Sequence, residues 1–335
     1  MQNQGIRDAR SLGTPKLLVL GLQHMFAMFG ATVLVPALTG LSVSATLLFA
    51  GLGTLFFHFV TKGKVPAFLG SSFAYLAGYA AIAPNGEAAL LPYACVGVAA
   101  SGLLYLILAA LVRGFGANRV MRFFPPVVTG PIIICIGMTL ANSAINNCTG
   151  SWDIALVAIL TVVIFNIWGK GMCKIIPILL GVVGSCAIAA VLALAFGKTI
   201  TASDGAQYIA MLGDERFKLF SKSAIDNLIS ADWIGLPVVW KHTIFGGVDW
   251  SNGPVIASAV IAITPIALAT MMEHIGDISA ISSTTKRNFI ENPGLHRTLT
   301  GDGLATTLAS IFGGPANTTY GENTGVLELS HVHDP

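Results

Sequence analysis

Long stretches without a charged residue alternate with short polar connectors along this chain. Residues 17–61 contain no Asp, Glu, Lys or Arg. They are long enough for two membrane-crossing helices of about 20 residues each, with a turn at Thr39-Gly40-Leu41-Ser42. Residues 65–86 and 88–112 supply a third and a fourth span, and 123–152 contain a fifth. Residues 154–169 and 175–197 are the sixth and seventh. A more polar stretch, 198–253, reads as an external loop with short structure of its own. Residues 254–272 form span eight and 286–297 a polar connector. Residues 299–312, interrupted by Asp302, are a short ninth span, and 315–329 begin a tenth. The expected fold is an all-α polytopic membrane protein.

Composition supports lipid as the solvent. Of 335 residues, 54% are hydrophobic and only 10% charged, against roughly 25% charged in a soluble domain. A net charge of +2 gives no reason to expect a nucleic-acid partner. The five cysteines are scattered in apolar runs without a C-x-x-C pair, so no metal site is indicated. No P-loop motif is present, which leaves ATP-driven pumping without support. Outside the 198–253 loop, every Lys and Arg falls at the N-terminus or after an even-numbered span. By the positive-inside rule the N-terminus is then cytoplasmic.

Spans three and ten depart from ordinary helices. Lys64-Val-Pro-Ala-Phe-Leu-Gly-Ser-Ser-Phe-Ala-Tyr75 and Gly314-Pro-Ala-Asn-Thr-Thr-Tyr-Gly-Glu-Asn-Thr-Gly325 each place Pro-Ala before a polar, Gly-containing patch. Non-helical backbone at membrane depth is tolerated only where protein or water covers it. Broken segments at matching places in two halves point to a transporter's midplane site. The halves do match. Gln23-His24 and Glu273-His274 precede the two breaks by nearly equal distances, to Pro66 and Pro315. Seven spans per copy is odd, so the second copy is inverted. The first copy, residues 1–197, has seven spans; the second, 254–335, has about three. The chain is expected to be a fragment or truncated product, lacking on the order of 100 residues of a complete repeat.

An acidic residue within an apolar segment is by default a functional hypothesis. Glu273 closes span eight, and Glu322 follows the second break. A half-helix starting there would aim free N–H groups and its positive end at the break. Backbone N–H groups near Phe73 and Gly321, and the flat faces of Phe73 and Tyr320, complete a site suited to a planar ligand with N–H donors and C=O acceptors. Asp277 lies one helical turn after Glu273, so one of the two acids would keep a proton, which suits proton coupling. Structural readings stand beside these. Glu273 can sit at the interface, Glu322 can cap a helix, Asp277 can be interfacial, and His24, Phe73 and Tyr320 can be packed core residues.

Several motifs carry a resemblance. Gln23-His-Met-Phe-Ala-Met-Phe-Gly-Ala-Thr-Val-Leu-Val-Pro36, Gly70-Ser-Ser-Phe-Ala-Tyr75, Glu273-His-Ile-Gly-Asp277 and Asn292-Pro-Gly-Leu-His-Arg297 resemble bacterial uracil permeases. Asn317-Thr-Thr-Tyr-Gly-Glu-Asn-Thr-Gly325 resembles the signature of the nucleobase–ascorbate transporter (xanthine/uracil permease) family. The resemblance implies 14 spans in two inverted repeats of seven, of which about ten are present. Spans 1–4 and 8–11 would form a core and spans 5–7 and 12–14 a gate, with short strands in spans three and ten meeting at the substrate. It further implies uracil:proton symport across the plasma (inner) membrane without a cofactor, and no enzyme activity. Glu273 and Glu322 would bind the base, with Phe73, Gly321 and Tyr320 around it; the candidates for proton coupling, read from the sequence itself, are Glu273, Asp277 and His24. Some members carry His at the position of Asp277, which puts a proton role there in doubt. A xanthine or purine permease, and an anion transporter of the same architecture, are the alternatives. A homodimer is left open.

Overall fold

The structure, a computed structural model, describes residues 8–120, 151–170, 177–196 and 235–334 continuously. It also describes residues 6, 122 and 173 and scattered positions within 131–149, 198–221 and 229–230. Among side chains, those of Gln23 and Glu322 fall outside the description. Most of the expected fifth span also lies outside the described residues.

In chain order the elements are α1 (Thr14–Thr39), α2 (Val43–Val60), β1 (Leu69–Ser71), α3 (Leu76–Ile82), α4 (Leu91–Phe115) and α5 (Ala117–Val120). Then come α6 (Trp152–Trp168), α7 (Pro177–Phe196) and the strands β2 (Lys198–Thr201), β3 (Gln207–Ala210) and β4 (Lys218–Ser221). The chain continues with α8 (Gly253–Ile263), α9 (Ile266–Thr285), α10 (Leu295–Ile311), β5 (Asn317–Thr319) and α11 (Glu322–Ser330). Among the described residues, four stretches are long and apolar enough to cross a membrane: α1, α2, α4 and the continuous run Gly253–Thr285.

The chain divides into two compact units, Met1–Gly137 with Pro237–Pro335, and Met138–Leu236. In the second unit α6 packs on α7, where a Cβ at Gly181 would meet the Ala158 carbonyl at 3.2 Å. Strands β2, β3 and β4 form an antiparallel meander.

The first unit exposes large apolar side chains and buries polar ones among its apolar core. Phe59 is 81% exposed and Leu55 68%, whereas Thr54 beside them is 8% exposed and Asp302 is fully buried. That arrangement suits a lipid surround, where helix association relies on close packing and internal hydrogen bonds rather than on expelling water. Helices α4 and α10 show the close packing. A Cβ at Gly102 would meet the Gly303 carbonyl at 2.6 Å, and one at Gly303 would meet the Gly102 carbonyl at 2.7 Å. The two glycines let the backbones touch.

Helix α9 runs 13 residues past the expected end of span eight at Met272. Glu273 and Asp277 end the apolar run but not the helical period. Met271, Ile275, Ile278 and Ile281 recur at helical spacing and are all buried. Helix α10 likewise begins at Leu295, four residues before the expected ninth span.

Candidate functional site

The two Pro-Ala segments meet. Strand β1 pairs antiparallel with β5, with Leu69 opposite Thr319, Gly70 opposite Thr318 and Ser71 opposite Asn317. The ladder is closed at one end by the Ser72 N–H donating to the Ala316 carbonyl (3.0 Å) and at the other by the Tyr320 N–H donating to the Phe68 carbonyl (3.0 Å). Extended backbone at membrane depth needs partners along both edges, and a two-stranded sheet supplies only one.

Side chains supply the rest. Thr54 of α2 accepts from the Leu69 N–H at 3.0 Å and donates to the Leu69 carbonyl at 3.3 Å. On the β5 edge, Thr306 of α10 donates to the Asn317 carbonyl (2.8 Å) and Asp302 Oδ1 accepts the Thr319 N–H (3.0 Å). The Asn317 side chain donates to the Phe49 carbonyl at 2.8 Å. Gly53 leaves room for it, since a Cβ there would collide with Asn317 Nδ2.

Helix α1 is tied to the crossing through a proline. Pro36 has no N–H to give the Thr32 carbonyl one turn earlier. That carbonyl instead accepts from Ser71 Oγ at 3.1 Å. The Tyr320 hydroxyl donates to the Ser71 carbonyl at 2.8 Å, and Thr32 Oγ1 donates to the Tyr320 hydroxyl at 3.2 Å. The Tyr320 ring lies over Gly70, where a Cβ would come within 2.5 Å of it.

Each strand leads into a helical start. A 3-10 turn, Phe73–Tyr75, follows β1 and continues into α3, while α11 begins at Glu322. The N–H groups of Phe73 and Gly321 are the first beyond the closing bonds of the ladder. Neither has an acceptor among the described residues. Glu322 is the first residue of a nine-residue helix, at its positive end.

Helix α9 presents Glu273, His274 and Asp277. His274 and Asp302 are both fully buried, with Nδ1 and Oδ2 3.3 Å apart. The Thr319 hydroxyl donates to Asp277 Oδ2 (3.2 Å) and lies 3.2 Å from His274 Nδ1. With its one proton spent on Asp277, that hydroxyl accepts, which assigns the imidazole proton to Nδ1. His274, Thr319 and Asp277 thus form one hydrogen-bonded line to the break, with the buried Asp302 carboxylate 3.3 Å from the His274 end. Asp277 Oδ1 would lie 3.1 Å from a Cβ at Gly321, so its carboxylate sits against that backbone.

Of the residues expected in the site, Tyr320, Gly321 and Asp277 converge on the second break. Phe73 sits at the matching place after β1, half-buried. Glu273 is half-buried, one turn before Asp277 on α9. Glu322 is placed by its backbone alone. His24 lines a separate cavity of about 130 Å³ with His58, Phe68 and Asn323. His274, Asp302, Thr319, Thr54 and Thr306 were not expected. A buried-polar signal existed for two of them. Asp302 is an acid within an apolar run, and His274 was singled out only as a repeat marker.

Apolar helices with buried polar partners, and two broken segments paired at their breaks, define an integral membrane protein of the transporter type. The chain belongs to the xanthine/uracil permease family, whose model, described as a permease family, matches residues 15–335. Among its relatives, the uracil permease of Bacillus subtilis (strain 168) is 35% identical, over 98% of this chain and 70% of that protein. The uracil permease of Bacillus caldolyticus is 37% identical, over 98% and 69%. A probable uracil permease of Haemophilus influenzae is 38% identical, over 94% and 68%. These relatives are permeases, not enzymes. The transmembrane domain of a cyanobacterium bicarbonate transporter, BicA, superposes with a TM-score of 0.58 at 16% identity, over 92% of this chain and 77% of that one. At that identity the likeness shows the fold alone.

Proposed function

We propose that this protein is a secondary transporter that carries uracil together with a proton across the cell membrane. The observation that carries the reading is the pair of N–H groups without acceptors among the described residues, at Phe73 and Gly321, just past the ends of the two paired strands, with the Asp277 carboxylate against Gly321. Uracil presents ring N–H donors next to carbonyl acceptors. In this reading Glu273 accepts from a ring N–H, Glu322 takes the other polar edge, and the Phe73 and Gly321 amides donate to carbonyls. The aromatic side chains of Phe73 and Tyr320 flank the base. The names of the uracil permease relatives support the same substrate.

Glu273 and Asp277, one turn apart, are assigned the coupling proton, since two such acids titrate as a pair. His24 is assigned a part in the proton's path from its own cavity. Spans 1–4 with 8–10 act as the moving core and spans 5–7 as part of the gate, in an inverted 7+7 repeat. The N-terminus faces the cytoplasm, and 198–253 is extracytoplasmic.

Uptake of radiolabelled uracil by cells expressing the protein tests the reading. Uptake is expected, and dissipating the proton gradient should abolish accumulation. Uptake that xanthine competes away and uracil does not would reassign the substrate to a purine. Glu273→Gln and Glu322→Gln should each abolish uracil binding to purified protein; normal binding by either variant would remove that residue from the site.

A further inference from the structure

We propose that a groove along α4 binds an anionic glycerophospholipid, a role independent of the transported substrate. The groove begins as an apolar slot of about 570 Å³, walled by Leu104, Leu108 and Phe115 of α4 and by Leu268 and Met271 of α9. Its far end changes character. Arg119 lines the slot and also a second cavity of about 700 Å³, into which Arg113, Asn118 and His296 open. Phe115 is shared as well, so the apolar and basic compartments are continuous.

The dimensions fit a lipid chain. From Leu104 to Phe115 the helix rises about 16 Å at 1.5 Å per residue. One leaflet of a bilayer with a hydrocarbon core of about 30 Å is about 15 Å deep. The slot therefore ends where a headgroup begins, and the arginines stand at that level.

Charge selects the headgroup. Arg113 and Arg119 are exposed, and neither makes an ion pair among the described residues. Glu291 is the one acid lining the second cavity, so the cup is net positive. His296, in the connector before the membrane-embedded part of α10, reports the same surroundings. Burial first, and then the charges of Arg297 and Arg113, hold its imidazole below the usual pKa. Guanidinium groups take phosphate oxygens in pairs. A free phosphate uses the cup and leaves the slot empty. A zwitterionic lipid fills the slot but brings its own cation to the cup. An anionic phospholipid satisfies both compartments. Met271, on the slot wall, lies two residues before Glu273 on the same helix, so an occupied slot braces the segment that carries that acid.

Native mass spectrometry of the detergent-solubilised full chain tests this. Dioleoyl phosphatidylglycerol should be retained on the order of tenfold better than dioleoyl phosphatidylcholine. Arg113→Ala with Arg119→Ala should erase that preference, and Lys at both positions should restore most of it. If the alanine pair fails to elute as folded protein, Gln at both positions carries the comparison. Leu108→Trp, which fills the slot, should lower retention of both lipids. Equal retention of the two lipids, or a preference unchanged in the double variants, would overturn the proposal. So would displacement of phosphatidylglycerol by inorganic phosphate, or a stable dimer that excludes both lipids.

Discussion

The backbone N–H of Thr319 donates to the buried carboxylate of Asp302 at 3.0 Å, while the Thr319 hydroxyl donates to Asp277 at 3.2 Å. One threonine therefore connects a fully buried acid with a half-buried one at the break. The first acid holds the strand in place, and the second lies against Gly321.

Asp302→Ala should be among the most damaging substitutions in the chain. It strands the buried Thr319 N–H and removes the carboxylate beside His274, and leaving a buried donor unsatisfied costs about 1–3 kcal/mol. Asp302→Asn keeps an acceptor and should retain folded protein. Thermal melts of the two purified variants, compared with the parent, check the difference.

Thr54→Val keeps the shape of the side chain and removes both bonds to Leu69. Leaving buried backbone groups unpaired costs about 1–3 kcal/mol. A lower melting temperature is expected for Val, with Ser restoring most of it. Equal melts for the parent and Val variants would show that Leu69 finds other partners.

Gly70→Ala should displace the Tyr320 ring, because a Cβ there lies 2.5 Å from the ring and 2.9 Å from Thr32 Oγ1. Tyr320→Phe keeps the ring, removes the hydroxyl's bonds to Ser71 and Thr32, and should cost about 1 kcal/mol. If the reading of the site is right, uracil affinity measured by calorimetry falls further in the Ala variant than in the Phe variant.

Pro36→Ala returns an N–H to α1 that competes with Ser71 Oγ for the Thr32 carbonyl. The helix itself should gain, since an interior proline costs about 3 kcal/mol, yet the hold on β1 should loosen. A raised melting temperature together with weaker uracil binding is the expected signature. Unchanged binding would mean that the Ala31 carbonyl, 3.2 Å from Ser71 Oγ, is anchor enough.

The two breaks were readable because proline and glycine interrupt apolar helices in ways no other residues do. Their distance from Gln23 and Glu273 made them a pair. The register between them was not readable, because three-residue strands carry too little alternation to fix it. Nor was the support of their outer edges. Thr54 and Thr306 look like ordinary helix residues in sequence, and only the fold shows whose carbonyl each one meets. Asp302 registered as a blemish in span nine because hydropathy scores a charge as a cost without asking what it holds. The end of α9 was misplaced for the same reason: carboxylates at positions 273 and 277 stop an apolar run, while the buried isoleucines on the other face carry the helix on to Thr285.

Leu69 and Thr319 pair across 250 positions of sequence. At about 5–20 residues per second, a ribosome needs roughly 12–50 s to travel from one strand to the other. During that interval the newly made β1 has Thr54 for Leu69, and the α1 carbonyls at Ala31 and Thr32 for the Ser71 hydroxyl. The Ser72 N–H has no partner until Ala316 is made. Residues of α1 and α2 thus serve, for that time, as a built-in holdase for a strand whose mate has yet to be translated.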